Sequence, residues 1–420
     1  MVYLQQPPGP EDPALLRAGL RPPPGRRVVR CAQGSGQRPQ RRRRSPLRRG
    51  SCPDLRPTDR SPARLGRSAR NRPAGEVGRV SLPRRLLAER RTAETEMNEP
   101  VVYLGGKLQP ASAAHLSIFD FGIILGATVT DLLRTFRHRP YRMEEHVRRF
   151  YESCKYARIA VPIPPEETTA RTCELIAHNA SLVGPDDDLA VVYFITPGEN
   201  PVYAGSAGGA RLRTPTFCIH SFPLPFELWR RYFSEGVHLV TPSVRHVPPV
   251  CVDPKTKNRS RLHWWLAEQE AHLVEPDAVP LLLDLEGNLT ETAGANLLLV
   301  KNGVVLSPTP RNILLGVSRA VIREICGRLG VPFAERDLQT HDAITADEAF
   351  LATTPYCMAP VTRINGVAVG DGLPGELFYR ILSEWSKDVG VDIRGQVLGT
   401  WRRSPDAEAP PGVRPPDRLS

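Results

Sequence analysis

The stretch from Lys255 to Asn296 constrains the fold more than any other part of the chain. It reads PKTKNRSRLHWWLAEQEAH, then a short apolar run, then EGNLTETAGANLLLV. Apolar spacing predicts a helix over 260–273, directly after a lysine-bearing loop. Strands are expected at 279–285 and 295–300, and a turn of small residues between them carries Glu291. A fold that accepts this order brings a lysine and a carboxylate about thirty residues apart toward one place.

The chemistry of that pair is specific. One lysine can form a Schiff base to the aldehyde of pyridoxal 5′-phosphate (PLP). One carboxylate can hold the pyridine nitrogen protonated, so that the ring accepts electrons. Lysine is also scarce. Among 56 basic residues only Lys107, Lys155, Lys255, Lys257, Lys301 and Lys387 are lysines. Arginine stays protonated, whereas burial and neighbouring charges can make a lysine neutral. Lys255 and Lys257 are both candidates from position alone.

Charge is unevenly placed. Residues 1–96 hold 23 arginines, no lysine and 8 acids, a net of +15, so the remainder of this +11 chain is at −4. The mildly acidic body gives no electrostatic reason to expect a nucleic-acid partner. Residues 1–96, with QRPQRRRRSPLRRG at 37–50, lack any sustained apolar period and are expected to be disordered. Their Arg, Pro, Gly and Ala bias fits GC-rich sequence read through ahead of a gene that starts at Met97. A chain begun at Met97 is expected to keep its melting temperature and activity; loss of either would show that the segment docks on the fold. Residues 401–420 are Pro-rich and are read as a disordered tail. The eight cysteines show no zinc spacing. With no secretory h-region and no apolar run long enough for a membrane span, a soluble cytoplasmic protein is expected.

The body reads as mixed α and β. Hairpins are expected at Gly105-Gly106 and Asn302-Gly303, and a turn at HRP (138–140). Strands are expected at 128–136, 189–196, 216–222, 237–241 and 348–354, and helices at 144–158, 165–182, 317–329 and 375–388. Hairpins between the strands argue against a doubly wound parallel sheet. Residues 97–224 read as a small N-terminal α/β unit and 225–400 as a larger one. Gly316 opens the helix at 317, so the amides of Val317 and Ser318 are candidates for an anion site. Thr353-Thr354 ends a strand, and Arg149 is offset from the apolar stripe of its helix.

Six motifs in order, DFGIILGATV, RMEEHVRRF, KNRSRLHWWLAEQEA, LTETAGANLLLV, ILLGVSR and ADEAFLATTPYCMAPV, make residues 116–390 resemble the class IV aminotransferases. These are fold type IV PLP enzymes and include branched-chain aminotransferases, D-amino acid aminotransferases and aminodeoxychorismate lyases. The resemblance implies a small N-terminal domain, a larger C-terminal one, PLP between them, and a homodimer. It selects Lys257 for the Schiff base, ten residues before Ala267. It gives Glu291 the pyridine nitrogen, and it matches Asn296 to an asparagine of the Glu turn. Arg149, Val317, Ser318, Thr353 and Thr354 match phosphate-binding positions. The implied reaction is ping-pong transamination between an amino acid and a 2-oxo acid, with Lys257 moving the α-proton.

Substrate positions depart from the family. Thr130 stands where most relatives have an aromatic residue. Val202 and Ala204 stand where D-amino acid enzymes carry an Arg and a His. The lysine loop has Arg261 near the place of a tyrosine common in branched-chain members. Arg134, on the strand face of Thr130, is the candidate ligand for the substrate carboxylate. The expected donor is a branched-chain or other apolar L-amino acid, with Trp264-Trp265 beside the loop. The alternatives are a D-amino acid aminotransferase, an aminodeoxychorismate lyase-type enzyme and a non-catalytic protein of the same fold.

Overall fold

The computed structural model describes residues 98–203, 205 and 214–402. The expectations for residues 1–96, for Ala204 and for most of 401–420 lie outside these.

The first sheet grows from local hairpins. β1 (Val101–Leu104) and β2 (Lys107–Pro110) turn at Gly105-Gly106, whose φ values of 64° and 86° suit glycine. β3 (Val129–Phe136) turns into the short β4 (Arg139–Pro140). The turn residues are Arg137 and His138, one position earlier than HRP suggests, at φ 53° and 65°. No glycine marks them; the buried Asp188 carboxylate accepts from the His138 amide at 3.0 Å and holds the turn. β5 (Leu189–Thr196) and β6 (Thr216–Pro223) complete an antiparallel six-stranded sheet of order β2-β1-β6-β5-β3-β4.

Two helices pack on this sheet. α1 (Met143–Tyr156) has Glu144 and Glu145 in its first turn, where acids favour a helix start. α2 (Pro165–Ala180) begins on proline, whose missing N–H costs nothing there. Phe150 of α1 and Leu175 of α2 meet Leu133 and Tyr193 of the sheet in a closed core.

The second sheet is mixed. Its strands are β7 (Val237–Val240), β8 (Val279–Leu283), β9 (Leu289–Thr292), β10 (Asn296–Lys301), β11 (Val304–Ser307), β12 (Phe333–Glu335), β13 (Glu348–Thr353), β14 (Cys357–Ile364) and β15 (Val367–Ala368). The path β12-β11-β10-β13-β14-β7-β8-β9 returns on itself, because β9 also pairs with β10 through Glu291 and Asn296. Residues opposite each other across an antiparallel pair share a face, so this closure sets the Asn296 amide beside the Glu291 carboxylate. The β7–β14 and β7–β8 pairs are parallel.

α3 (Leu262–Val274) follows the lysine loop, α4 (Val317–Arg328) follows Gly316, and α5 (Glu376–Val389) and α6 (Ile393–Leu398) end the described chain. Val321 and Ile325 of α4 pack with Phe378 and Trp385 of α5 against Phe350 of β13. Burying a large apolar side chain contributes about 1.5–3 kcal/mol, so these helices are held on the sheet by their apolar stripes. Among the described residues, no helix is long and apolar enough to cross a membrane.

Candidate active site

The lysine loop is fixed against the first sheet by backbone bonds. The Thr130 amide donates to Lys257 O at 2.9 Å, and the Arg259 amide donates to Thr128 O at 2.9 Å. Val129 and Asn258 form an antiparallel bridge. The Ser260 hydroxyl donates to Gly126 O at 2.6 Å. The loop thus pairs alongside the start of β3 as a short antiparallel segment, and Lys257 lines a cavity of about 270 Å³.

Lys257, Glu291, Leu314, His246, Arg261 and Trp264 share the walls of that cavity. Lys255 is exposed and lies 3.3 Å from Asp253 on the surface. The two candidate lysines are therefore separated by position: one lines the cavity and the other does not. Burial, then Arg149 and Arg261, bring the Lys257 ammonium down from 10.5 to about 8, against opposing pulls from Asp131 and Glu291.

Glu291 is held by its surroundings. Asn296 Nδ2 donates to its Oε2 at 2.9 Å and to Leu314 O at 2.9 Å. The Leu314 amide donates to both carboxylate oxygens, at 3.2 and 3.1 Å. His246 Nε2 lies 3.8 Å from Oε1. Gly316 makes this packing possible, since a Cβ there would stand 2.2 Å from Asn296 Oδ1.

A corner with free N–H donors and a guanidinium lies beside it. α4 starts at Gly316 with no side-chain cap. The amides of Val317 and Ser318 accordingly have no acceptor among the described residues, as expected for the first turn of a helix. Arg149 Nη1 donates to Leu315 O at 3.1 Å, which sets the guanidinium against that helix start. The rest of Arg149 is gripped by Asp131, at 2.8 Å from both Nε and Nη2. Asp131 is fully buried and also meets His146 Nδ1 at 2.8 Å. Burial would raise the Asp131 pKa, but Arg149 and His146 hold it well below the usual carboxylate range. Burial depresses the His146 pKa, despite Asp131. Asp131 and His146 were not singled out from the sequence. The available signal was an acid inside an apolar strand and a histidine three residues before Arg149.

The Thr353-Thr354 pair divides. The Thr353 hydroxyl donates to Gly294 O at 2.6 Å and braces the Glu turn. No hydrogen bond among the described residues engages the Thr354 hydroxyl.

Two expected substrate contacts are not at the cavity. The Thr130 hydroxyl donates to Tyr193 O at 2.8 Å, inside the first sheet. Arg134 is 1 % exposed. It donates to Thr135 O at 3.0 Å, Pro355 O at 2.9 Å and Gln396 Oε1 at 2.6 Å, and lies 3.5 Å from Asp188. Its donors are spent on the protein, which leaves none for a substrate. Trp264 lines the cavity, whereas Trp265 is 58 % exposed on the outer side of α3.

A low-pKa lysine facing a clamped carboxylate, beside an uncapped helix start on a closed mixed sheet, defines an amine-chemistry site that can take a phosphorylated aromatic aldehyde. A family model for amino-transferase class IV matches residues 128–364. A Methanocaldococcus jannaschii protein named "Putative branched-chain-amino-acid aminotransferase" is 30% identical over 292 residues, 69% of this chain and 96% of that protein. The D-alanine aminotransferase of Listeria monocytogenes serotype 4b (strain F2365) is 27% identical over 299 residues, 67% of this chain and 93% of that protein. The solved branched-chain aminotransferase of the archaeon Thermoproteus uzoniensis, with norvaline, superimposes with a TM-score of 0.60 at 23% identity, covering 72% of this chain and 95% of that one. The chain belongs to the class IV aminotransferases, and its fold is that of the fold type IV enzymes. Enzymes of this class use PLP. The residues fit that group: the cavity offers the Lys257 amine and the fixed Glu291 carboxylate, and its wall at Leu314 leads to the free helix amides and to the Arg149 guanidinium held at Leu315.

Proposed function

We propose that this aminotransferase moves an amino group from an apolar L-amino acid, of branched-chain type, to a 2-oxo acid. The observation that carries the reading is Lys257 and Glu291 on one cavity whose other walls include Val129, Ile159, Val247, Val252, Trp264 and Leu314. These walls suit an aliphatic side chain.

In this reading Lys257 Nζ anchors PLP, and as a neutral amine it takes and returns the α-proton of the amino acid. Glu291, oriented by Asn296, keeps a proton on the cofactor's ring nitrogen. Arg149, Val317, Ser318 and Thr354 hold the phosphate, with Thr353 bracing the turn between them. When bound there, PLP supplies the electron sink that makes α-proton loss feasible. Asp131 positions Arg149. A homodimer fits the exposed Ile118, Ile123 and Leu125 beside the lysine loop. A cytoplasmic setting fits the six unpaired thiols among the described residues.

A donor screen tests the substrate. L-leucine, L-isoleucine and L-valine should outrun D-alanine with 2-oxoglutarate or pyruvate as acceptor. D-alanine as the faster donor would overturn the substrate while leaving the transfer chemistry standing. Pyruvate released with no acceptor present would instead indicate a lyase.

Glu291→Gln should leave PLP bound and cut turnover by at least about tenfold, roughly 1.4 kcal/mol of barrier. The amide keeps the shape but removes the negative charge. A variant within about twofold of the parent enzyme would contradict the role of Glu291.

A further inference from the structure

A 2-oxo acid and an amino acid share a carboxylate, and the cavity needs a cation for it that is not the reacting amine. Arg134 is buried and spent, and Arg149 stands off the cavity wall at the helix start, where the phosphate is placed in this reading. His263 lines the cavity too, but burial, then His246 and Arg261, depress it to about 4, so it is neutral near pH 7. Arg261 remains. It sits at the start of α3, four residues after Lys257 in the chain, and lines the same cavity as Lys257 and Glu291. Its Nη2 donates to Ala293 O, two residues past Glu291. That bond pins the guanidinium between the lysine loop and the Glu turn. Its plane also lies near Trp264, 5.9 Å from the ring centre.

Its remaining groups have no protein acceptor among the described residues. Neither Nε nor Nη1 makes a hydrogen bond, and no carboxylate among these residues lies within ion-pair distance of Arg261. Glu291 is near enough to be felt but not to pair. A guanidinium drawn out of bulk water without a counter-charge is poorly compensated. The bond to Ala293 uses one of the two Nη2 hydrogens; the other, paired with Nε or with Nη1 along one edge of the planar fork, matches the two oxygens of a carboxylate.

We propose that Arg261 is the residue that binds the substrate carboxylate, so that this chain reads its 2-oxo and amino acids from the lysine loop. The inference rests on the aminotransferase reading. The apolar walls beside Arg261 then receive the side chain, and the carboxylate end is fixed next to the reacting amine.

The test uses two ligands of one shape, 4-methylvalerate and 4-methylpentanamide, titrated into the PLP-loaded protein by calorimetry. The parent protein should prefer the carboxylate by roughly ten- to hundredfold, the range of a charge-assisted pair. Arg261→Met should lose that preference to within about threefold, chiefly through weaker binding of 4-methylvalerate. Arg261→Lys should retain part of it, because the charge remains but the fork does not. The cofactor absorption band of each variant, compared with the parent, shows whether the site is loaded. Equal weakening of both ligands in Arg261→Met would overturn the proposal and reduce Arg261 to a brace for the Ala293 carbonyl. So would an undiminished preference in that variant, or no preference in the parent. Should Arg261→Met not take up PLP, the Arg261→Lys titration decides by the same comparison: a preference equal to the parent's overturns the proposal. Failure of the aminotransferase reading would show separately, as absence of amino transfer by the parent with every donor screened.

Discussion

Lys257→Ala should abolish transamination and covalent cofactor attachment together. Proton transfer by a positioned base is worth about 10²–10⁴ in rate, and the anchor is lost with the same amine. Borohydride treatment of the PLP-loaded parent should fix the cofactor to the peptide bearing Lys257. The exposed Lys255, 3.3 Å from Asp253, should stay unlabelled. The depressed lysine adds a pH signature. With a pKa of about 8 in place of 10.5, roughly a quarter of Lys257 is neutral near pH 7.5, against about one in a thousand for an ordinary lysine. The charged form dominates below pH 8 and cannot attack an aldehyde. Uptake of PLP by the cofactor-free protein should therefore accelerate as pH rises through about 8 and level off above it. A rate that continued to climb toward 10.5 would mean that the amine is not buried in solution, and a label on Lys255 would mean that the register is wrong.

The outline of this site was legible because its parts are local. A lysine loop, a helix and a small-residue turn are each written in a run of neighbouring residues. The helix expected at 317–329 and the strand expected at 189–196 emerge as Val317–Arg328 and Leu189–Thr196 for the same reason. What stayed hidden is pairing at long range. The carboxylate that steadies Arg149 comes from Asp131 on β3, and nothing in the strand's own pattern says that an arginine 18 residues later will face it. The return of β9 onto β10 was hidden too, because the pairing of Glu291 with Asn296 depends on the whole path of the sheet. Arg134, expected at the substrate, lies off the cavity by a related cause. Strand alternation tells which side of a sheet a residue takes, and here that side is covered by Gln396 from a helix more than 250 residues later, so it does not open on the cavity.

That burial makes Arg134 the second large effect. Its guanidinium ties β3 to Gln396 of α6 and to the carbonyl of Pro355, the residue after Thr353-Thr354. Gln396 Nε2 in turn donates to Asp188 Oδ2 at 2.8 Å, and Asp188 accepts from Thr135 at 2.7 Å. The Arg134–Asp188 pair is 1 % exposed on both sides. Water cannot replace the lost partner there. Removing one member of a buried pair costs about 3–5 kcal/mol, because the other charge is left uncompensated. Arg134→Met should accordingly lower folding stability by that amount in a denaturant titration, and weaken PLP binding because the Thr353-Thr354 turn loses its tether. Arg134→Lys should recover part of the loss, since a charge remains but the fork that reaches Pro355 and Gln396 together does not. A direct contact with substrate makes the opposite demand: an unchanged unfolding midpoint, unchanged PLP affinity and a raised KM for the donor. That pattern would return Arg134 to the substrate site and would remove the reason for assigning the carboxylate to Arg261.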